Sequence, residues 1–180
     1  MEPVGKYRAD MCRIASLYVH GGYYFDVDLQ VITPIQGLSS KINFITSRET
    51  GDFGSSGFFQ AFTAATPGHA ILKQALQEML EFYKDQHSGG SGTHQLGTTT
   101  LRRAHDKIVR MCPTKRQNVW LLQESHLDSP QQFPSVKRQQ PQSVHTGYGC
   151  NFVVNDGTTA YFFSRAIGAK SNNIDGGGCW

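Results

Sequence analysis

The stretch that decides the fold is residues 7–35, YRADMCRIASLYVHGGYYFDVDLQVITPI. In its first part, apolar side chains recur at intervals of three and four residues, which predicts an amphipathic helix with one buried face. That face is formed by Tyr7, Met11, Ile14 and Tyr18. Gly21 and Gly22 then predict the end of the helix, because glycine readily takes the left-handed conformation of a helix cap.

The residues after these glycines predict a β-strand that carries Asp26 and Asp28. Since side chains alternate between the two faces of a strand, both carboxylates are expected on one face and Phe25, Val27 and Leu29 on the opposite, buried face. Neighbouring carboxylates on an apolar strand repel each other unless a cation lies between them. A hard divalent ion such as Mg²⁺ or Mn²⁺ is the expected cation, and phosphate oxygens of a substrate would complete its shell.

Asp10 and Arg13 are three residues apart in the predicted helix, so they share a second face of it. The chain turns directly from the helix into the strand, which is expected to place this face beside the two aspartates. A carboxylate and a guanidinium beside a metal ion suit a ligand that bears hydroxyl and phosphate groups. The alternative for Asp10 and Arg13 is an ordinary surface ion pair, and the alternative for Tyr24 is a core aromatic.

These residues are part of a longer pattern, A-D-x-x-R-x-x-x-L-x-x-x-G-G-x-Y-x-D-x-D, that runs from Ala9 to Asp28. The pattern resembles the sugar-binding region of the DxD glycosyltransferases, which include Golgi mannosyltransferases and share a core with the glucosylating domains of large clostridial toxins. The resemblance implies an α/β, GT-A-like nucleotide-diphospho-sugar transferase fold. It also implies a metal-dependent hexosyltransferase, with mannose among the candidate sugars, that acts with retention on a glycan or lipid acceptor.

The resemblance further implies roles for individual residues. Donor binding is expected of Asp10, Arg13, Tyr24 and Asp26. Metal binding is expected of Asp26, Asp28 and His145, the last as the counterpart of a late histidine in the family. The implied cofactor is Mn²⁺ or Mg²⁺, and the implied partners are a nucleotide-sugar donor and a glycan or glycolipid acceptor, in the Golgi or secretory-pathway lumen. No catalytic nucleophile is evident from the sequence.

Length and composition predict a single globular domain over residues 1–180. The chain is 38% hydrophobic and 17% charged, and 180 residues can bury one core but hardly two. The net charge of +3 suits an anionic sugar nucleotide and gives no indication of nucleic-acid binding. The sequence has no run of 18 apolar residues, so membrane association is expected only through a segment outside this chain.

Very few residues precede the first predicted helix, whereas folds of this type place several βα units before the metal-binding strand. The chain is therefore expected to be the C-terminal part of a GT-A catalytic domain, incomplete at its N-terminus, and the activity of the isolated chain is an open question. Two other hypotheses remain open. One is a non-catalytic or degenerate fragment of such an enzyme. The other is a haloacid-dehalogenase-type phosphatase, although Gln30 stands where that motif needs a small hydroxyl residue or valine.

Beyond residue 35 the sequence predicts further strands and helices. The strands are residues 41–47, 58–62 (a strand or a turn), 119–122, 149–154 and 160–163, the last two forming a hairpin. One helix is expected to begin at Thr66 and Pro67, a hydroxyl cap followed by proline, and another at Thr100. The glycine-rich residues 88–100 have two interpretations, a flexible linker or a loop that faces a phosphate.

Overall fold

The computed structural model describes residues 5–27, 29–35, 37–49, 57–85, 97–126 and 151–165. Its helices are α1 (Gly5–His20), α2 (Ala70–Asp85) and α3 (Thr98–Met111), with a 3₁₀ helix at Pro113–Asn118. Its strands are β1 (Gly22–Phe25), β2 (Leu29–Val31), β3 (Phe44–Arg48), β4 (Phe58–Ala65), β5 (Val119–His126), β6 (Asn151–Asn155) and β7 (Ala160–Arg165). The α/β class predicted from the sequence is confirmed.

The chain divides into two compact units. The first unit consists of Met1–Phe25 and Gly37–Leu121, and the second of Asp26–Gln36 and Leu122–Trp180. The three boundaries therefore fall directly before Asp26, directly before Gly37 and within β5. The single domain predicted over residues 1–180 stays a prediction.

The first unit contains an antiparallel sheet with the strand order β1-β4-β3. The eight residues of β4 are almost entirely buried, which explains why the sequence showed no alternation there and predicted the strand only up to Phe62. Helices α1, α2 and α3 contribute to the core of this unit, through residues such as Ile14, Leu72 and Leu101. In the described residues no helix has the length and apolarity needed to cross a membrane.

The two glycines end α1 as predicted. Gly21 has a positive φ of 66°, and its backbone N–H donates to the carbonyl of Leu17 at 2.8 Å. A Cβ at Gly21 would lie 2.5 Å from Pro67 Cδ and 2.9 Å from the carbonyl oxygen of Ala65. Glycine is therefore required both by the backbone conformation and by the close approach of the β4 end.

The prediction that one strand carries both aspartates is wrong for Asp26. The pairing of β1 with β4 ends at Phe25, opposite Phe62, and the chain turns at Val27. The backbone N–H of Leu29 then donates to the carbonyl of Asp26 at 3.2 Å. Val27 is fully exposed rather than buried, and Phe25 is also exposed. Aspartate favours turns because its carboxylate competes for nearby backbone N–H groups.

The predicted start of the second helix is also wrong, because α2 begins at Ala70 rather than at Thr66 and Pro67. His69 takes the capping role instead: its Nδ1 accepts the backbone N–H of Ile71 at 3.3 Å. The Nε2 of His69 lies 3.0 Å from Asn43 Oδ1. Pro67 packs against Gly21, a long-range contact that the local sequence does not reveal.

The second unit contains the antiparallel strand order β5-β6-β7-β2. The predicted hairpin of β6 and β7 is confirmed, with Asp156 in its turn. Partial burial raises the pKa of Asp156, but hydrogen bonds from the backbones of Thr159 and Thr158 and from the hydroxyls of Thr158 and Tyr161 outweigh it and lower the pKa to about 2. The turn is thus held by a carboxylate that stays ionised at any physiological pH.

We expect Gly21→Ala to destabilise the protein more than Gly68→Ala. Gly68 has nearly the same φ, 69°, but a Cβ there would meet no atom within 4 Å. Gly68→Ala should therefore lower the free energy of unfolding by about 1 kcal/mol, the strain of a left-handed alanine. Gly21→Ala adds a steric clash with Pro67 to this strain, so we expect it to lower the free energy of unfolding by about 2–4 kcal/mol. Urea denaturation followed by circular dichroism measures both, and equal losses would contradict the packing described here.

Candidate functional site

Asp10 and Arg13 form an ion pair on α1 that is largely removed from water. Arg13 Nη2 lies 3.4 Å from Asp10 Oδ1, and the two side chains are only 12% and 18% exposed. The predicted sharing of one helix face is confirmed, and the alternative of a solvated surface pair is wrong. At this exposure a charge is favourable only when it is paired and hydrogen-bonded, so the two side chains depend on each other.

The guanidinium of Arg13 is also held by the sheet of the first unit. Its Nη1 donates to the backbone carbonyl of Gln60 on β4 at 2.8 Å. The guanidinium carbon lies 4.6 Å from the centroid of the Tyr24 ring on β1, a distance at which cation and ring attract each other. The structure thus places Tyr24 against a predicted site residue, and three elements fix the direction in which Arg13 points.

The carboxylate of Asp10 lies against Gly97, the residue directly before α3. A Cβ at Gly97 would be 2.5 Å from Asp10 Oδ2, and the φ of Gly97 is 87°, so this position requires glycine. Gly97 is the N-cap of α3 and provides no side-chain cap. The partial positive charge at a helix N-terminus favours a carboxylate. Asp10 is therefore stabilised on one side by Arg13 and on the other by α3.

The side chain of Gln60 lies beside the same place. Gln60 is only 4% exposed, and its Nε2 is 3.8 Å from the position that a Cβ of Gly97 would take. Among the described residues, neither its Nε2 nor its Oε1 has a hydrogen-bond partner. Asp10, Arg13, Tyr24, Gln60 and Gly97 therefore form one cluster, which we term the Asp10 site. Its members come from α1, β1, β4 and the start of α3.

The predicted metal ligands are placed only in part. Asp26 follows β1 directly and belongs to the second unit, while Asp28 and His145 lie outside the described residues. The expectation that the Asp10 and Arg13 face lies beside Asp26 stays a prediction. In the part of the chain that the structure describes, no three His, Cys, Asp or Glu side chains group as a metal site would need. The one DxD carboxylate described, Asp26, offers the oxygen ligands that a hard divalent ion takes.

Gln60 and Gly97 are not among the residues predicted to form the site. The signal for Gln60 was a single glutamine in the otherwise apolar run Phe58–Ala65, and the signal for Gly97 was a glycine directly before a helix. The two interpretations of residues 88–100, a flexible linker and a loop that faces a phosphate, both stay predictions. Residues 88–96 themselves lie outside the described residues.

A second feature of the first unit is a polar groove of about 480 Å³ at the start of α2. It is lined by residues of the β4–α2 connection, by Asn43 and by the 3₁₀ helix, and it contains none of the predicted site residues. His69 in this groove is fixed by hydrogen bonds at both ring nitrogens, which assigns it a structural role.

Arg13→Met should destabilise the protein by about 2–4 kcal/mol, because it leaves the Asp10 carboxylate largely buried without its cation. Arg102→Met is the matched control. Arg102 Nε lies 3.5 Å from Asp106 Oδ2, nearly the same separation, but the two side chains are 39% and 45% exposed. We expect the control variant to lower the free energy of unfolding by about 0–1 kcal/mol. Chemical denaturation measures the free energy of unfolding of both variants. Similar decreases in this free energy would mean that the Asp10–Arg13 pair behaves as a surface pair.

Comparison with known proteins gives a match to one family model and to solved structures. Residues 1–49 match the family model described as the glycosyltransferase sugar-binding region containing the DXD motif. No curated protein sequence matches the chain. A solved structure, the PaToxG glycosyltransferase, aligns with 60% of this chain and 36% of its own length, at 20% identity and a TM-score of 0.48. The chain thus spans about a third of that structure. The residues that match this family model include Asp10, Arg13, Tyr24 and Asp26.

Proposed function

We propose that the protein is a metal-dependent glycosyltransferase that binds a nucleotide sugar and transfers its hexose to an acceptor. The observation that carries this proposal is the largely buried ion pair of Asp10 and Arg13, inside the 49 residues that match the sugar-binding family. A carboxylate only accepts hydrogen bonds and a guanidinium only donates them. Side by side, they suit a ligand whose hydroxyls do both.

In this proposal, Asp10 accepts hydrogen bonds from hydroxyls of the donor sugar. Arg13 donates to a sugar oxygen or to the phosphate next to the sugar. The carbonyl of Gln60 and the ring of Tyr24 hold the guanidinium in place before the ligand arrives. A group that is already fixed loses little entropy on binding, and its hydrogen bonds are stronger where little water competes.

The metal site that we propose consists of Asp26 and Asp28, with His145 as a further ligand. Glycosyltransferases of the DXD type generally bind a divalent ion, and oxygen ligands suit Mn²⁺ or Mg²⁺. When bound, the ion supplies positive charge to the diphosphate of the donor as the nucleotide departs. The contribution of the chain itself is to hold the sugar through Asp10 and Arg13, next to this motif in sequence.

Finer assignments rest on the family resemblance alone. We propose a hexose, with mannose as a candidate, transferred with retention at the anomeric carbon to a glycan or glycolipid. The corresponding location is the Golgi or secretory-pathway lumen. Assaying transfer with several nucleotide sugars, and determining the anomeric configuration of the product by NMR, tests these points separately from the sugar site.

Asp10→Asn should weaken binding of a nucleotide sugar by about 10–100-fold, because the neutral amide cannot replace a charged acceptor. Binding of the corresponding nucleoside diphosphate should not change, since it lacks the sugar. Calorimetry with UDP-glucose, UDP-N-acetylglucosamine and GDP-mannose, and with UDP and GDP, all in the presence of Mn²⁺, measures both quantities.

The matched control for this variant is Asp106→Asn, on α3. Asp106 lies 3.5 Å from Arg102 in a pair that is about half exposed, so its amide variant removes a carboxylate outside the Asp10 site. We expect its affinities to equal those of the wild type. A wild-type chain that binds none of the three nucleotide sugars, or an Asp10→Asn variant that binds them equally well, would contradict the proposed function.

Removal of the metal should abolish the binding of nucleotide sugars, and adding Mn²⁺ back should restore it. Asp26→Asn and Asp28→Asn should each weaken Mn²⁺ binding, because each removes a charged oxygen ligand. His145→Ala tests the third ligand in the same way. Calorimetric titration with Mn²⁺ alone measures this directly, and equal Mn²⁺ affinity in wild type and Asp28→Asn would contradict the metal assignment.

A further inference from the structure

The N-terminal end of α3 brings no negative charge of its own. The helix starts with three threonines, has no acidic residue in its first turn, and receives no side-chain cap from Gly97. A helix start presents N–H groups without intrahelical partners and carries a partial positive charge. Negative charge at this end has to come from other elements of the first unit. Asp10 on α1 is one source, since its Oδ2 lies 2.5 Å from the position of a Cβ at Gly97.

Glu49, the residue directly after β3, brings a second carboxylate to the same helix end. Its Oε2 lies 2.6 Å from the point where a Cβ of Gly57 would stand, and Thr98 Oγ1 lies 2.6 Å from the same point. The Glu49 carboxylate and the first residue of α3 thus share one place, which is open because residue 57 is glycine. Carboxylates from two different elements therefore lie at the start of α3, one at Gly97 and one at Thr98.

The backbone fixes Glu49 in this place. The paired residues Arg48 and Phe58 are the last of β3 and the first of β4. The pairing continues one residue further, because the backbone N–H of Glu49 donates to the carbonyl of Gly57 at 3.2 Å. Facing residues of an antiparallel pair have neighbouring side chains. Since Gly57 has none, the side chain of Glu49 can lie over it and reach α3.

We propose that Glu49 is a positioning residue for the Asp10 site: its carboxylate holds the first turn of α3 and thereby keeps Asp10 available to the donor. This inference rests on the proposed function and gives Glu49 no contact with the ligand. Two carboxylates share the positive end of α3. When the charge of Glu49 is removed, Asp10 alone faces this end. Its oxygens are then attracted more strongly to the N–H groups of α3, with which a sugar hydroxyl must compete.

The first variant is Glu49→Gln, which keeps the size of the side chain and removes its charge. Its matched control is Glu81→Gln, the same change at an exposed position of α2. A rescue variant combines Glu49→Gln with Thr98→Asp. The added aspartate supplies a carboxylate from the first turn of α3 itself, on the side where the Glu49 carboxylate lies in the wild type. Rescue distinguishes a missing charge from general damage to the fold.

A second pair of variants leaves both charges in the chain. Gly57→Ala places a Cβ 2.6 Å from Glu49 Oε2 and from Thr98 Oγ1, so it separates the carboxylate from α3. The matched control is Gly37→Ala, whose Cβ would meet no atom closer than Tyr23 Oη at 3.7 Å, an ordinary contact.

Two quantities are measured for every variant. The first is the hydrogen-exchange rate of the Leu101 amide, which donates to the carbonyl of Gly97 at 3.0 Å and reports on the first turn of α3 without any ligand. The second is the Kd, determined by calorimetry with Mn²⁺ for UDP-glucose, UDP-N-acetylglucosamine and GDP-mannose, and for UDP and GDP as the sugar-free ligands.

For Glu49→Gln we expect about 2–5-fold faster exchange of the Leu101 amide, the size of one charge at a helix end. Its Kd for the nucleotide sugar that the wild type binds most tightly should rise by about 2–5-fold for the same reason. Its Kd for the sugar-free nucleotide should not change. Thr98→Asp should restore both quantities in the double variant. Gly57→Ala should change them in the same direction as Glu49→Gln, and both control variants should equal the wild type.

Two results would overturn the inference and leave the proposed function intact. One is a Glu49→Gln variant with the exchange rate and the nucleotide-sugar affinity of the wild type. The other is a Glu49→Gln variant that loses nucleotide sugar and sugar-free nucleotide equally and is not rescued by Thr98→Asp, which would show that Glu49 supports the fold as a whole. A wild-type chain that binds no nucleotide sugar would overturn the proposed function and the role of Glu49 in binding, whatever the exchange rates show about α3.

Discussion

The ion pair between Asp10 and Arg13 is the interaction on which the candidate site depends. It joins charges from one helix face, and each partner is then fixed by a different part of the first unit. Arg13 contacts β4 and β1 through the Gln60 carbonyl and the Tyr24 ring, while Asp10 contacts the start of α3 at Gly97. Because both charges are largely removed from water, neither can be lost without leaving the other uncompensated.

The position of α1, the helix that carries this pair, is fixed at its C-terminal end. Gly21 stops α1 in a left-handed conformation and packs directly on Pro67, so the rotation and the position of α1 relative to β4 are linked. A helix that ended one residue later would turn Asp10 and Arg13 by about 100° around its axis. The two glycines of the motif thus have a mechanical role as well as a place in the family pattern.

Structural features that depend only on residues close to each other in sequence could be predicted. The periodicity of α1, its glycine end and the β6–β7 hairpin are of this kind, and all three are confirmed. The extent of β1 could not be predicted, because β1 ends where its pairing with β4 ends. The paired residues of the two strands are distant in sequence. The start of α2 depends likewise on Asn43, which holds the capping His69.

The candidate site shows the same division. Asp10 and Arg13 could be predicted because a motif within one helix contains both. Gln60 is 47 positions away from Arg13, and Gly97 is brought to Asp10 only by the packing of α3, so neither could be assigned to the site from the sequence. Their surroundings, an apolar strand and a glycine-rich stretch, are more often structural, and only the assembled unit shows them beside a charged pair.

Binding of the donor sugar by the Asp10–Arg13 pair is tested most directly by a crystal structure. The crystals would contain the protein, a non-hydrolysable nucleotide sugar and Mn²⁺. We predict sugar hydroxyls within about 2.6–3.2 Å of the Asp10 carboxylate and the Arg13 guanidinium, a normal hydrogen-bond distance. A sugar bound elsewhere, for example in the groove beside His69, with no contact to Asp10 or Arg13, would contradict the claim.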